Sequence, residues 1–254
     1  MANIDVPVWG NDGKKVFRAG RPVRGLDPKS FEVLFGDYAR DAKSVYHGST
    51  KAKRIDRDTF RPLNGQYGVD AIHAFIAITP IKDADPKTFR VLDSSLQFAS
   101  MGHFICGGYV ADAQSVWYAD MGIRRVKNAV PSSFVSLGNG FGCDRERVYF
   151  QEKVIHDADR VTWRHWDGLL SIDKNNVYFT NKKIEGVDRP SIWRLTVEDC
   201  FMDRHRIYSS NRAVTAEEYL ERLKRVEEKC VWEREKISSG WLFERIESEH
   251  PSYI

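Results

Sequence analysis

Three groups of residues have the types and spacings that could do chemistry. "DKNN", Asp173 to Asn176, has the oxygen donors of a calcium loop. An EF-hand also needs oxygen ligands at loop positions 5 and 12 and a glycine at position 6. Counted from Asp173, those positions hold Val177, Ile184 and Tyr178, so the loop is not of that kind. "GNGFG", Gly138 to Gly142, has the glycine density of a phosphate loop. It lacks the following Gly-Lys-Ser/Thr and leads into a strand pattern rather than a helix. His103 with Cys106, and Cys200 with His205, are zinc-type donors, but neither pair has a second pair at matching spacing. No GxSxG or HExxH occurs. The expectation is no catalytic residue, no metal and no cofactor.

Asp173 makes better sense as one copy of a repeat. Equivalent aspartates stand at Asp12, Asp41, Asp70, Asp112, Asp144, Asp173 and Asp203, with spacings of 29, 29, 42, 32, 29 and 30 residues. Three residues before each stand Trp9, Tyr38, Tyr67, Tyr109, Phe141, Leu170 and Cys200. Four residues after come Val16, Val45, Ala74, Val116, Val148, Val177 and Ile207, and the next residue is always aromatic. A second signature follows, Asp-x-x-x-aromatic, as in Asp27 to Phe31, Asp56 to Phe60, Asp85 to Phe89 and Asp159 to Trp163. Large apolar residues, including Leu34, Leu63, Leu92, Leu137, Trp166 and Leu195, stand three beyond the aromatic position.

These patterns dictate local structure. An aspartate at the first position of a turn accepts N–H bonds from two and three residues on. The Val-aromatic pair then starts a strand. "RAGR", "HGST" and "TNKK" supply a second tight turn, with Gly or Asn tolerating positive φ. About three short strands per unit are expected. The second Asp reads as the N-cap of one helical turn, with Pro at N1 in "DPKSF" and "DPKTF". One unit cannot bury its apolar set alone, but stacked units can. At 29 residues a unit is short for a four-stranded propeller blade, which favours an open or curved array.

"DKNNVYF" with "IEGVDRPSIWRL" resembles the DKNYY family of bacterial repeat proteins, whose pattern is Asp-Lys-Asn-x-Val-Tyr-Tyr, a turn, then Asp-Pro-x-x-Phe. The resemblance covers about residues 8 to 223. It implies a bacterial source and brings no assigned activity or catalytic residue.

The predicted fold class is mostly β with α: about seven units of ~29 residues, each a short meander plus one helical turn, closed by a C-terminal capping helix. Residues 1–214 form the array and 215–254 the helical cap on the last repeat. The cap begins with a capping box, Thr215 and Glu218, and its apolar spacing suggests a helix of roughly 20 residues. The cap carries net −3 and the array +6, from a total of +3. That balance is too mild to announce nucleic acid. The four separated cysteines suit reduced thiols. "MANIDVPVWGND" has no signal-peptide pattern, and no long apolar run follows. The expected location is cytoplasmic, away from membranes.

Irregularity against a regular background points to function. From second-signature Asp to the next first-signature Asp the distance is 14 residues in copies one, two and five, but 27 from Asp85 to Asp112. The 13 extra residues fall within "DSSLQFASMGHFICGG". Leu96, Phe98, Met101, His103 and Phe104 there suit either a loop patched onto the core or an apolar partner-binding patch. Arg124, Arg125 and Lys127 beside it could steer an acidic partner. The expected function is protein binding, as an immunity protein that occludes a neutral or acidic antibacterial toxin domain. The alternatives are a nucleic-acid or polyanion binder using the +6 array, and an unrecognised enzyme.

Overall fold

The structure, a computed structural model, describes residues 9–93, 96–99, 103–120 and 122–224, with 96–99 and 103–106 described by their backbone. It is a tandem series of small antiparallel sheets with one C-terminal helix, as the repeat predicts. Two compact units divide it, Met1–Gly140 and Phe141–Ile254. The division falls within the array, at residues 140 and 141.

The first unit begins with a three-stranded sheet, Trp9–Asn11, Val16–Arg18 and Arg21–Pro22. The second sheet has four strands, Glu32–Phe35, Tyr38–Arg40, Val45–His47 and Thr50–Lys51, paired in chain order. The third is Arg61–Pro62, Tyr67–Val69, Ala74–Ile76 and Thr79–Pro80. The fourth is Arg90–Val91, Gly108–Ala111, Val116–Ala119 and Ile123–Arg125. In the second unit the fifth sheet contributes Phe141–Cys143, Val148–Phe150 and Lys153–Val154. The sixth is Arg164–Asp167, Leu170–Ile172, Val177–Phe179 and Lys182–Lys183. The seventh is Trp193–Arg194, Cys200–Met202, Ile207–Ser209 and Arg212–Val214, and the helix Ala216–Leu223 follows it.

A regular unit therefore carries four strands, not three. Strands of two to four residues let four fit into 29. The extra strand comes from the segment read as a helical face. After Asp27, Asp56, Asp85 and Asp159 the chain makes only a turn, and 3₁₀ turns form at Pro131–Ser133 and Arg189–Ser191. Phe134 (φ −74°, ψ 132°) and Ile192 (φ −67°, ψ 141°) are already extended, so the apolar residue three beyond sits on a strand or just after one. A single turn with nothing to propagate it stops where strand pairing begins.

The core lies between consecutive sheets. Trp9, Val16, Ala39 and Tyr46 join sheets one and two; Tyr38, Val45, Phe60 and Phe75 join two and three. Tyr67, Phe89, Val110 and Trp117 join three and four. In the second unit Phe141, Phe150 and Tyr178 link sheets five and six, and Leu170, Ile172, Phe201 and Tyr208 link six and seven. Tyr219 and Leu223 of the helix cover Leu195, Cys200, Met202 and Ile207. The capping box is formed: Glu218 N–H donates to Thr215 Oγ1 and Thr215 N–H to a Glu218 carboxylate oxygen. The second tight turn differs in detail from expectation. Ala19, Ala77, Gln151, Thr180 and Ser210 take positive φ there, so in "TNKK" the left-handed residue is Thr180, not Asn181.

Every first-signature aspartate does what its spacing requires. In all seven, one carboxylate oxygen accepts the N–H groups two and three residues on, at 2.6–2.8 Å. Six of the seven are buried, Asp12 being the exposed one. The other oxygen reaches the preceding second signature. Asp41, Asp70, Asp112, Asp173 and Asp203 accept the backbone N–H of Asp27, Asp56, Asp85, Asp159 and Asp188. Tyr46, Tyr149, Tyr178 and Tyr208 place their hydroxyls on the same oxygen.

The knot makes stability depend on pH at both ends. Burial opposes ionisation of Asp41 and Asp173, but the converging donors outweigh it and hold both carboxyls below the ordinary value of 3.8. Burial and then the neighbouring aspartates raise Tyr46 and Tyr208 from 10.0 to about 12. The carboxyl contribution is full above the ordinary carboxylate range and is lost as pH falls through the depressed values. The phenol contribution is full below pH 10.0 and is lost as pH rises toward about 12. Urea unfolding should give a flat midpoint from pH 6 to 9 that drops by pH 11 and again below pH 4. A midpoint unchanged between pH 9 and 11.5 would contradict the assignment.

Candidate functional hairpin

Sheet four carries the longest insertion into this pattern, besides three extra residues near "YADMGIRRVKN". Its 13 extra residues lie between Asp93 and Gly107, where sheets two and six have only a glycine turn, Phe35-Gly36-Asp37 and Asp167-Gly168-Leu169. The insertion is a β-hairpin, not a loop. Leu96–Ala99 pairs antiparallel with His103–Cys106, with Leu96 opposite Cys106, Phe98 opposite Phe104 and Ala99 opposite His103. Period-two alternation puts positions 96, 98, 104 and 106 on one face of the ribbon. Met101 lies outside the described residues. The hairpin is a sheet of its own: among the described residues neither strand pairs with a third. An isolated ribbon is marginal in water and presents two unpaired backbone edges.

Its root is fixed. Leu92 and Asp93 N–H both donate to the Tyr109 carbonyl, at 2.9 and 3.1 Å. Gly108 has φ +119°, and a Cβ there would lie 2.8 Å from Asp93 Cβ, so only glycine fits. The Asp93 carboxylate accepts the Ser136 hydroxyl at 2.8 Å. Tyr109, fully buried, donates its hydroxyl to the Gly140 carbonyl at 2.8 Å. A rigid base therefore carries a ribbon that belongs to no other sheet.

The expected basic residues divide differently. Alternating strand direction brings the Asp120–Gly122 turn to the same end of sheet four as the hairpin. Arg124 is half-buried and paired with Asp120 at 2.8 Å, while Arg125 and Lys127 are exposed. None of the three is special to sheet four. Arg124 has counterparts in Arg21, Lys153, Lys182 and Arg212, and Arg125 in Lys51 and Lys183, all on the last strands of their sheets. Lys127 follows buried Val126 as Arg24, Lys53 and Lys82 follow Val23, Ala52 and Ile81. Basic side chains on edge strands discourage edge-to-edge pairing. These three residues follow a pattern that recurs from repeat to repeat, which the sequence shows only once the last strands are aligned.

Of the zinc-type donors, the side chains of His103 and Cys106 lie outside the described residues, and Cys200 and His205 come apart. Cys200 is fully buried, with Sγ 3.4 Å from Ser209 Oγ, whereas His205 lies in an exposed turn. Burial raises the thiols of Cys143 and Cys200. Among the described residues no group of three or more His, Cys, Asp or Glu could hold a metal ion. "GNGFG" contains a turn in which Gly138, Asn139 and Gly140 all have positive φ. No helix among the described residues is long and apolar enough to cross a membrane.

A column of hydroxyls escaped the sequence reading. Ser30, Thr59, Thr88, Thr162 and Ser191 stand three residues after the second-signature Asp, and each accepts the backbone N–H following the buried aspartate. The signal was present as Asp-x-x-Ser/Thr-aromatic. No family model, curated protein or solved structure matches this chain.

Proposed function

We propose that this is a bacterial protein-binding protein, an immunity protein that docks on a cognate toxin domain in the cytoplasm and occludes it. One observation carries the reading: a rooted, self-paired hairpin inserted into an array that otherwise has only tight turns at that place. A ribbon with two open edges and phenylalanines at positions 98 and 104 suits a protein surface, through strand addition or apolar contact. The DKNYY-like pattern supports a bacterial source. The excess of Lys and Arg, +3 overall, suits a neutral or acidic partner. The test is co-expression with the product of the adjacent gene. Co-purification and rescue of growth support the reading; absence of both overturns it.

The basic residues that recur on the last strands favour a second reading, polyanion binding at those edges. On that reading affinity for nucleic acid falls steeply with salt.

A further inference from the structure

The seven copies allow each position to be compared with its sisters, and one cationic pair breaks their rule. The residue after the second-signature Asp is Pro28, Arg57, Pro86, Pro131, Arg160 or Arg189. Where it is arginine, its Nε donates to the carbonyl of the buried aspartate 16 residues earlier: Arg57 to Asp41, Arg160 to Asp144 and Arg189 to Asp173. The residue after the second-signature aromatic is Glu32, Arg61, Arg90, Val135, Arg164 or Trp193. Arg90 shows its reach. From a position opposite Ala111 it donates to the Asp112 carbonyl at 3.3 Å and to the Pro131 carbonyl at 2.7 Å.

The two positions alternate. Where the following unit brings proline, this one is arginine (Arg61, Arg90); where the following unit brings Arg57 or Arg160, it is Glu32 or Val135. Only Arg164 is followed by a second arginine, Arg189. Arg164 stands opposite Ile172, the place from which Arg90 reaches the aspartate carbonyl in sheet four, but here Arg189 already holds that carbonyl at 2.9 Å. Burial, and next the charge of Arg164, lower the Arg189 guanidinium from its ordinary value. Among the described residues the Arg164 side chain has no hydrogen bond or ion pair, and the Arg189 side chain has none beyond its Nε bond. Trp193, an exposed indole, fills Arg164's position in the next sheet.

We propose that Arg164 and Arg189 form an anion-recognition site, flanked by Trp193, that takes a carboxylate from an acidic segment of a protein partner. Two guanidinium groups offer forked donors matched to one oxyanion. Arg and Trp are the side chains that dominate protein interfaces. The cations alongside are already neutralised, Lys174 by Asp159 and Arg204 by Asp188, so the positive charge is a focus rather than the continuous track a nucleic acid needs. The partner's class rests on the protein-binding reading above, whereas the anion site does not.

The test uses the full chain, observing arginine Nε–H signals by NMR while adding hexaglutamate, sodium acetate, inorganic phosphate or oligothymidylate. Hexaglutamate should shift the Arg164 and Arg189 signals saturably, and Arg164→Gln should weaken it roughly tenfold. Arg164→Gln should also raise Tm by about 1 °C at low salt, since it removes a like-charge contact, and saturating hexaglutamate should close that gap. No shift with hexaglutamate, or a shift unchanged in Arg164→Gln, overturns the site. Equal response to acetate or phosphate at matched charge overturns the acidic-segment assignment, as does tighter binding of oligothymidylate. The chain lacking residues 94–106 should respond like the full chain, which separates failure here from failure of the hairpin.

Discussion

Asp173→Asn destabilises the second unit by about 3 kcal/mol or more, though it changes one atom on a chain of 254 residues. Asp173 is 1% exposed and both its oxygens are fully used. Oδ1 accepts Asn175 N–H at 2.8 Å and Asn176 N–H at 2.7 Å. Oδ2 accepts Asp159 N–H at 2.9 Å and has the Tyr178 hydroxyl at 2.7 Å. An amide has one oxygen. In either flip its NH₂ faces donors and leaves buried groups unsatisfied, so Asn is close to Ala in cost. Asp12→Asn is the internal control: Asp12 makes the same two turn bonds but is exposed, and among the described residues its other oxygen accepts no hydrogen bond. Its loss should be much smaller, and urea unfolding of the two variants side by side checks this. Equal, small losses would mean that the repeated aspartate is not what ties the turn to the preceding segment.

The turn half of that knot was legible because it is local. Hydrogen bonds to residues two and three on depend only on the aspartate and its neighbours. The other half spans 14 residues, from Asp173 Oδ2 to Asp159 N–H, and pairs two motifs that look independent in sequence. The hydroxyl column, Ser30 to Ser191, was visible as spelling but not as function, since a Ser or Thr beside an aromatic has many local uses. The fourth strand was missed because Phe31 and Leu34, three apart, fit a helical face as well as a turn followed by a strand. The insertion was legible as a length anomaly while its hairpin form was not. In "LQFASMGHFIC" the alternation of Leu96, Phe98 and Phe104, Cys106 has the strand period, but the "SMG" between the two runs is not one of the sequences that announce a hairpin.

Excising residues 94–106 should leave the array as stable as before and abolish partner binding. The cut joins Asp93 to Gly107 and restores the regular spacing of 14 residues. The junction Asp93-Gly107-Gly108-Tyr109 then matches Phe35-Gly36-Asp37-Tyr38, whose Gly36 has φ +53°. The paired strands Arg90–Val91 and Gly108–Ala111 remain, as does the buried set of Tyr67, Phe89, Val110 and Trp117. If the insertion instead patched the core, its removal would expose apolar surface and cost several kcal/mol, at roughly 25 cal/mol per Å².

The most direct measurement is therefore the affinity of the intact and excised chains for the adjacent-gene product, taken with their urea midpoints. Unchanged midpoints with affinity lost at least a hundredfold, about 2.7 kcal/mol, is the predicted result. Retained affinity, or a midpoint that collapses with the excision, would contradict the division between a structural array and a functional hairpin.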